Sequence, residues 1–299
     1  MSTLVCLGMG YCARHHVAEY GSRYQRIVGT SRSIDTTAKP PVEMLVFDGN
    51  QPSRQTRDAV AAADRLLVSA APSEAGDPVL ATLADDIAAA PRLRSIVYLS
   101  SLGVYGEHDG AWIDETTATI PAHTRGAARV NAELAWQALG RRRGVPVAIL
   151  RLAGIYGPGR NAFVRLLAGR AHRIAKPGHV FNRIHVADIA QAIDAAWERN
   201  FDGIVNVTDD LPAPPGDQIT FAARLLGIEP PPELTLAQAE RTLSPFILSF
   251  YAGCARVRND KLKRTLGVRL RYPTYREGLQ ALYDTGYAAR DPVAPGGPA

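Results

Sequence analysis

Cysteine is scarce. Cys6, Cys12 and Cys254 are the only three in 299 residues, an odd number without a CxxC pair, which argues against both a disulfide framework and a zinc site. Long apolar runs are missing too: no stretch reaches the roughly 18 residues a bilayer span needs, and no basic leader precedes the first apolar segment. These absences lead us to expect a cytoplasmic protein with no membrane partner. Lysine occurs only at positions 39, 176, 261 and 263, so the net charge of +5 is carried almost wholly by arginine. Arginine holds anions but does not give up its proton. The basic residues form no stripe with interleaved aromatics, so phosphates or carboxylates are the expected ligands rather than nucleic acid.

What is present fits a packed α/β protein. The chain is 46% hydrophobic and 21% charged, well inside the globular range, and long enough for one large unit or two joined lobes. Its first half alternates short apolar runs with amphipathic stretches, the pattern that a parallel sheet requires. Strands are expected at Thr3–Leu7, Gln25–Gly29, Met44–Phe47, Arg65–Ser69, Ser95–Leu99 and Val145–Leu150. Between them fall helices near Cys12–Tyr20, Ser53–Ala63, Gly76–Ala90 and Ala122–Arg141. Beyond residue 151 the rhythm breaks into a strand at Gly203–Val207 and helices at Ala187–Trp197, Gly216–Leu226 and Asn259–Leu266, with proline-rich turns between them. We therefore expect residues 1–155 to form mainly one α/β domain. Residues 156–287 would mix sheet-completing segments, about 179–207, with a smaller C-terminal substrate lobe, and 288–299 would be a flexible tail.

The first strand runs into Gly8-Met9-Gly10-Tyr11-Cys12-Ala13, which matches G-x-G-x-x-[G/A]. A first glycine permits the tight turn, a second lets backbone approach a diphosphate, and a small third residue lets the helix pack closely on the strand. Tyr11 lies within the motif. At the end of the second strand an acidic side chain would select NAD by binding the ribose 2′-hydroxyl. Here Thr30, Ser31 and Arg32 stand instead, which favours NADP over NAD. The rival reading leaves Arg32 as a solvated loop residue while Asp35 reaches back.

From Ser100-Ser101-Leu102-Gly103-Val104-Tyr105-Gly106 onward the chain resembles the extended short-chain dehydrogenase/reductases, the NAD(P)-dependent epimerase/dehydratase type. Other segments match in order: Phe47-Asp48, Val68-Ser69-Ala70-Ala71-Pro72, Asp114-Glu115, the run from Arg151 to Arg160 and the run from Arg183 to Ala190. The resemblance implies a Rossmann doubly wound parallel sheet with a smaller C-terminal substrate lobe. It also implies that Asp48 bonds adenine, that Ser69 and Ala70 line the cofactor, and that a homodimer forms through the helix carrying Arg125–Arg141. In that family a Ser/Thr, a Tyr and a Lys four residues later transfer the proton as hydride moves. Ser101 fits the first role. Reading back from Glu133, which matches a family glutamate, puts Arg125 in the tyrosine place and Arg129 in the lysine place. A guanidinium stays charged near neutrality and cannot shuttle a proton.

Candidate catalytic residues are therefore Ser101, Arg125, Arg129 and His123, the last because an imidazole could stand in as the acid. Tyr105, Tyr156, Arg160 and Arg183 are placed on the substrate side, where Arg125, Arg129, Arg160 and Arg183 together imply an anionic small-molecule substrate. His185 and Asp188 are expected to hold the fold. The reading is an oxidoreductase acting on a small anionic carbonyl or alcohol. One alternative is a non-catalytic NADP(H)-binding redox sensor or assembly partner, and a second is a sugar-nucleotide epimerase or dehydratase.

Overall fold

Seven parallel strands form the central sheet of the computed structural model, which describes residues 2–33 and 42–286. The expected tail at 288–299, and Asp35, lie outside the described residues. In chain order the strands are β1 (Thr3–Leu7), β2 (Arg26–Ser31), β3 (Val42–Val46), β4 (Arg65–Val68), β5 (Ser95–Ser101), β6 (Val147–Leu152) and β7 (Gly203–Val207). The flanking helices are α1 (Tyr11–Tyr20), α2 (Arg54–Ala61), α3 (Pro78–Ala89) and α4 (Thr124–Arg143), and a further helix, Val186–Glu198, precedes β7. Across the sheet the order is β7-β6-β5-β4-β1-β2-β3. The chain therefore reverses direction at β1, which lies between β2 and β4. A crevice opens at such a switch point, beyond the strands' carboxyl ends.

Strand periodicity explains the two layers. Leu4 and Cys6 of β1, Val97 and Leu99 of β5, and Leu150 and Leu152 of β6 face a core shared with α1 and with Ile189, Ile193 and Trp197. Val5, Leu7, Ile96, Tyr98, Val147 and Ile149 face the opposite core, against α2, α3 and Trp136 and Leu139 of α4. Successive side chains point to opposite faces, so strands covered on both sides must be apolar throughout. Each fully buried aliphatic side chain contributes roughly 1.5–3 kcal/mol. Asp77 joins two of the covering helices. Its Oδ1 accepts the Val79 and Leu80 amides at 2.9 and 3.1 Å, capping α3, while its Oδ2 accepts Trp136 Nε1 at 3.0 Å. Helix α3 consequently starts at Pro78 rather than Gly76. Gly144, at φ 72°, ends α4 in the left-handed conformation two residues later than expected.

The remaining residues build a smaller cluster. Tyr156, Phe163, Ile219, Tyr275 and Leu279 are buried together among helices Ala162–Leu167, Asp217–Leu226 and Tyr275–Asp284. A short parallel pair, Gly154–Tyr156 with Arg183–His185, ties this cluster to the end of β6. At the far end of that pair His185 caps helix Val186–Glu198 by accepting the Ala187 amide at 3.2 Å.

Candidate active site

The glycine turn sits at the switch point. Gly8 has φ +96°, and a Cβ there would lie 2.8 Å from the Ala70 amide nitrogen and 2.9 Å from Ser69 Oγ. Only glycine meets both conditions. The Gly8 amide donates to Thr30 Oγ1 at 2.9 Å, the Ser69 hydroxyl donates to the Gly8 carbonyl, and the Met9 amide donates to the Thr30 carbonyl at 2.7 Å. Thr30, Ser69 and Ala70 thus brace the turn from both neighbouring strands. Beyond it α1 begins at Tyr11 with Gly10 as its cap residue, no capping side chain and no acidic residue in its first turn. A Cβ on Gly10 would meet only Ser69 Oγ, at 3.8 Å, so space stands open before the helix amides. Ala13 is buried against the sheet. Amide donors at the positive end of a helix, with room beside a glycine, suit a diphosphate.

At the end of β2 the Ser31 hydroxyl donates to the Ser33 carbonyl at 2.5 Å, and Arg32 is exposed. Asp48, just past β3, is also exposed; it accepts the Asn50 amide at 2.9 Å, which holds its carboxyl below the usual range.

The reacting end lies where β5 meets α4. Ser101 closes β5, partly exposed, with its Oγ accepting the Gly103 amide at 3.1 Å. Helix α4 starts against the turn that follows: a Cβ on Gly126 would stand 2.7 Å from Pro121 and 3.0 Å from the Gly103 carbonyl oxygen. That approach puts Arg129 in reach of β5, and its Nη1 donates to the Leu99 carbonyl at 3.2 Å. Arg125 is exposed one turn earlier on the same face of α4. His123 precedes the helix, exposed, and its imidazole makes no capping bond.

Beneath this surface lies a buried polar network. Glu133 accepts Ser100 Oγ at 2.6 Å and Arg151 Nη2 at 2.7 Å, with the Arg151 and Glu133 side chains only 5% and 3% exposed. Arg151 stacks 4.8 Å from the centre of the Tyr105 ring, whose hydroxyl donates to Asn206 Oδ1 at 2.9 Å. The Asn206 amide in turn donates to Glu115. The network joins β5, α4, β6 and β7 directly behind Ser101. A charged residue inside the apolar run Val147–Leu152 was the signal for it, since a buried charge needs a partner.

The expected ring of four arginines is not assembled. Arg183 is buried, and its guanidinium donates to the carbonyls of Phe181, Ala213, Pro214 and Pro215 at 3.1–3.3 Å, so it fastens the lobe instead of facing a substrate. Tyr105 and Tyr156 are corrected in the same way. Both are buried, burial raises both hydroxyl pKa values, and the Tyr156 hydroxyl donates to the Thr274 carbonyl at 3.2 Å. Arg160 is exposed but stands over the Tyr11 ring, 5.8 Å from its centre, on the side of the glycine turn. His185 and Asp188 are internal: burial pushes the imidazole down to about 3, and Asp188 accepts the Arg271 and Tyr272 amides. Among the described residues no group of His, Cys, Asp or Glu could hold a metal ion, and no helix is long and apolar enough to cross a membrane.

Comparison with known proteins bears on the family and the fold. The model of the NAD dependent epimerase/dehydratase family matches residues 50–208. A functionally unknown conserved protein from Silicibacter pomeroyi superposes with a TM-score of 0.84 at 46% identity, covering 96% of this chain and 99% of that one. UDP-glucuronic acid 4-epimerase from Bacillus cereus, solved in complex with NAD, superposes with a TM-score of 0.74 over 96% and 98% of the two chains; at 17% identity it shows the fold alone. The 3-diazoavenalumate denitrifying reductase of a Streptomyces species is 34% identical over 137 residues, 44% of this chain and 45% of that protein. The chain spans about half the length of the curated relatives it matches. It belongs to the NAD dependent epimerase/dehydratase family.

Proposed function

We propose that this family member is an NAD(P)-dependent oxidoreductase acting on a small anionic carbonyl or alcohol through a site that lacks a dedicated proton carrier. One observation carries the reading. Arg129 is bonded to the Leu99 carbonyl, two residues before Ser101, with Arg125 one turn away on the same helix, which supports permanent cations as the groups beside the reacting oxygen. A bound nicotinamide supplies hydride exchange at its ring C4. Ser101 would donate its hydroxyl to the substrate oxygen, and the two guanidinium groups would stabilise negative charge growing there. The proton would come from water or from exposed His123, and losing a positioned acid typically costs about 10²–10⁴ in rate. Guanidinium groups also suit a carboxylate or phosphate on the substrate. The name of the Streptomyces relative, a denitrifying reductase of 3-diazoavenalumate, supports the reductive direction. Exposed Arg32 at the end of β2 supports NADP(H) as the preferred cofactor.

The test is single-turnover oxidation of NADPH and NADH by the protein with a panel of carboxylated aldehydes and ketones. Transfer to at least one substrate, slowed by about 10²-fold or more in Ser101→Ala and Arg129→Met, is expected. Tight dinucleotide binding without transfer to any substrate would instead establish the second reading, a non-catalytic cofactor-binding protein, which the loss of the Tyr and Lys favours. Sugar-nucleotide epimerisation needs a group that both takes and returns a proton, and Arg125 cannot.

A further inference from the structure

The loop after β6 reaches back to the start of α1. It closes as a tight turn, with the Gly157 amide donating to the Arg160 carbonyl at 2.9 Å and the Arg160 amide returning to the Gly157 carbonyl at 3.1 Å. The turn is fastened to the start of α1, because the Tyr11 hydroxyl donates to the Pro158 carbonyl at 2.9 Å. Gly157 makes the approach possible: a Cβ there would lie 2.8 Å from that hydroxyl and 2.7 Å from Val186. The Arg160 guanidinium is thereby held against the Tyr11 ring, in the first turn of α1. Its charge is felt at Cys12 in the same turn. Burial pushes that thiol up to about 11, and Arg160 pulls against it.

This arrangement brings two positive features together. The helix start carries about half a unit of positive charge, and a guanidinium beside it is unfavourable without an anion between them. No carboxylate of the described residues forms an ion pair with Arg160. We propose that Arg160, seated on Tyr11, is a strap across the cofactor's diphosphate, gripping it from the side opposite the α1 amides. The assignment rests on the dinucleotide-binding reading and moves Arg160 from the substrate to the cofactor. A planar fork suits two oxygens of a diphosphate, while the tyrosine ring limits the positions the fork can take.

The experiment is calorimetric titration of wild type, Arg160→Ala, Arg160→Lys and Tyr11→Phe with NADPH, NADH, ADP-ribose and AMP. Arg160→Ala is expected to weaken both dinucleotides and ADP-ribose about 10- to 100-fold, the weight of one or two charge-assisted bonds. AMP, which has no diphosphate, should lose less than about threefold, and the salt dependence of NADPH binding should flatten. Arg160→Lys should recover part of the loss, and Tyr11→Phe should lose a smaller factor. Dinucleotide binding within about twofold of wild type in Arg160→Ala overturns the strap, as does an equal loss for AMP. These results separate the strap from the oxidoreductase reading. A wild type that binds dinucleotide but transfers no hydride refutes only the latter, and a wild type that binds none refutes both.

Discussion

Glu133→Gln tests whether the buried ion pair behind Ser101 organises this site. The substitution keeps size and shape but removes the charge that balances Arg151, whose side chain is only 5% exposed. Arg151 then remains a buried cation beside a neutral amide, and Ser100 loses its charged acceptor at 2.6 Å. Removing one partner of a buried pair costs about 3–5 kcal/mol, because the remaining charge is uncompensated. At roughly 2–4 °C per kcal/mol for a chain of this order, Tm should fall by about 6–20 °C. Removing both charges, in Glu133→Met with Arg151→Met, should recover much of that loss, since an apolar pair of similar volume can be nearly neutral. Urea and thermal unfolding of wild type, Glu133→Met, Arg151→Met and the double variant form a double-mutant cycle with an expected coupling of at least about 2 kcal/mol. A Glu133→Gln protein within about 1 kcal/mol of wild type, or strictly additive single changes, would refute the reasoning.

Gly8→Ala should cost about 1–3 kcal/mol of stability and abolish dinucleotide binding, because φ is +96° and the new methyl would meet the Ala70 backbone; unchanged Tm and Kd would contradict this. Burial raises the carboxyl of Asp209 to about 8, so its stabilising contribution is complete below pH 4 and lost as pH rises through 8. Asp209→Asn should therefore gain on wild type in urea midpoints between pH 5 and pH 8.5; an equal difference at both pH values argues against it. On the proposed use of NADP(H), Arg32→Ala should lower the ratio of NADPH to NADH affinity at least about tenfold, measured as a ratio of Kd values, while leaving NADH binding near wild type; an unchanged ratio would refute that proposal.

The sheet was legible because its signals are local. Thr3–Leu7 and Gly203–Val207 are short apolar runs bounded by turn residues, and the structure places strands with those same limits. The strands of two or three residues left no such mark: Trp112–Ile113 exists only because Arg256–Val257, far along the chain, lies beside it. Side-chain direction was the harder matter. Arg183 and Arg160 both read as substrate groups, since arginine is usually exposed and both follow motifs that border the cleft. What decides their roles is tertiary, namely the carbonyls presented near Pro214 and Pro215 in one case and the Tyr11–Pro158 bond in the other. Glu133 and Arg151 were each visible as residues of family-like segments, but their pairing depends on how α4 lies across β5 and β6.

The proposed chemistry also constrains how rate depends on pH. A tyrosine acid activated by lysine would leave an ionisation of its own in the rate of hydride transfer, whereas guanidinium groups do not titrate in any accessible range. Tyr105 and Tyr156 do not restore one, since their hydroxyls are bonded internally and burial raises their pKa values further. Two profiles remain. If water supplies the proton, single-turnover transfer is flat from pH 6 to 9; if His123 supplies it, the rate depends on pH, and His123→Asn lowers the rate and flattens the curve. An ionisation near 10 that survives His123→Asn and disappears in a tyrosine variant would show that a phenol does the work, and the role given to Arg125 and Arg129 would be wrong.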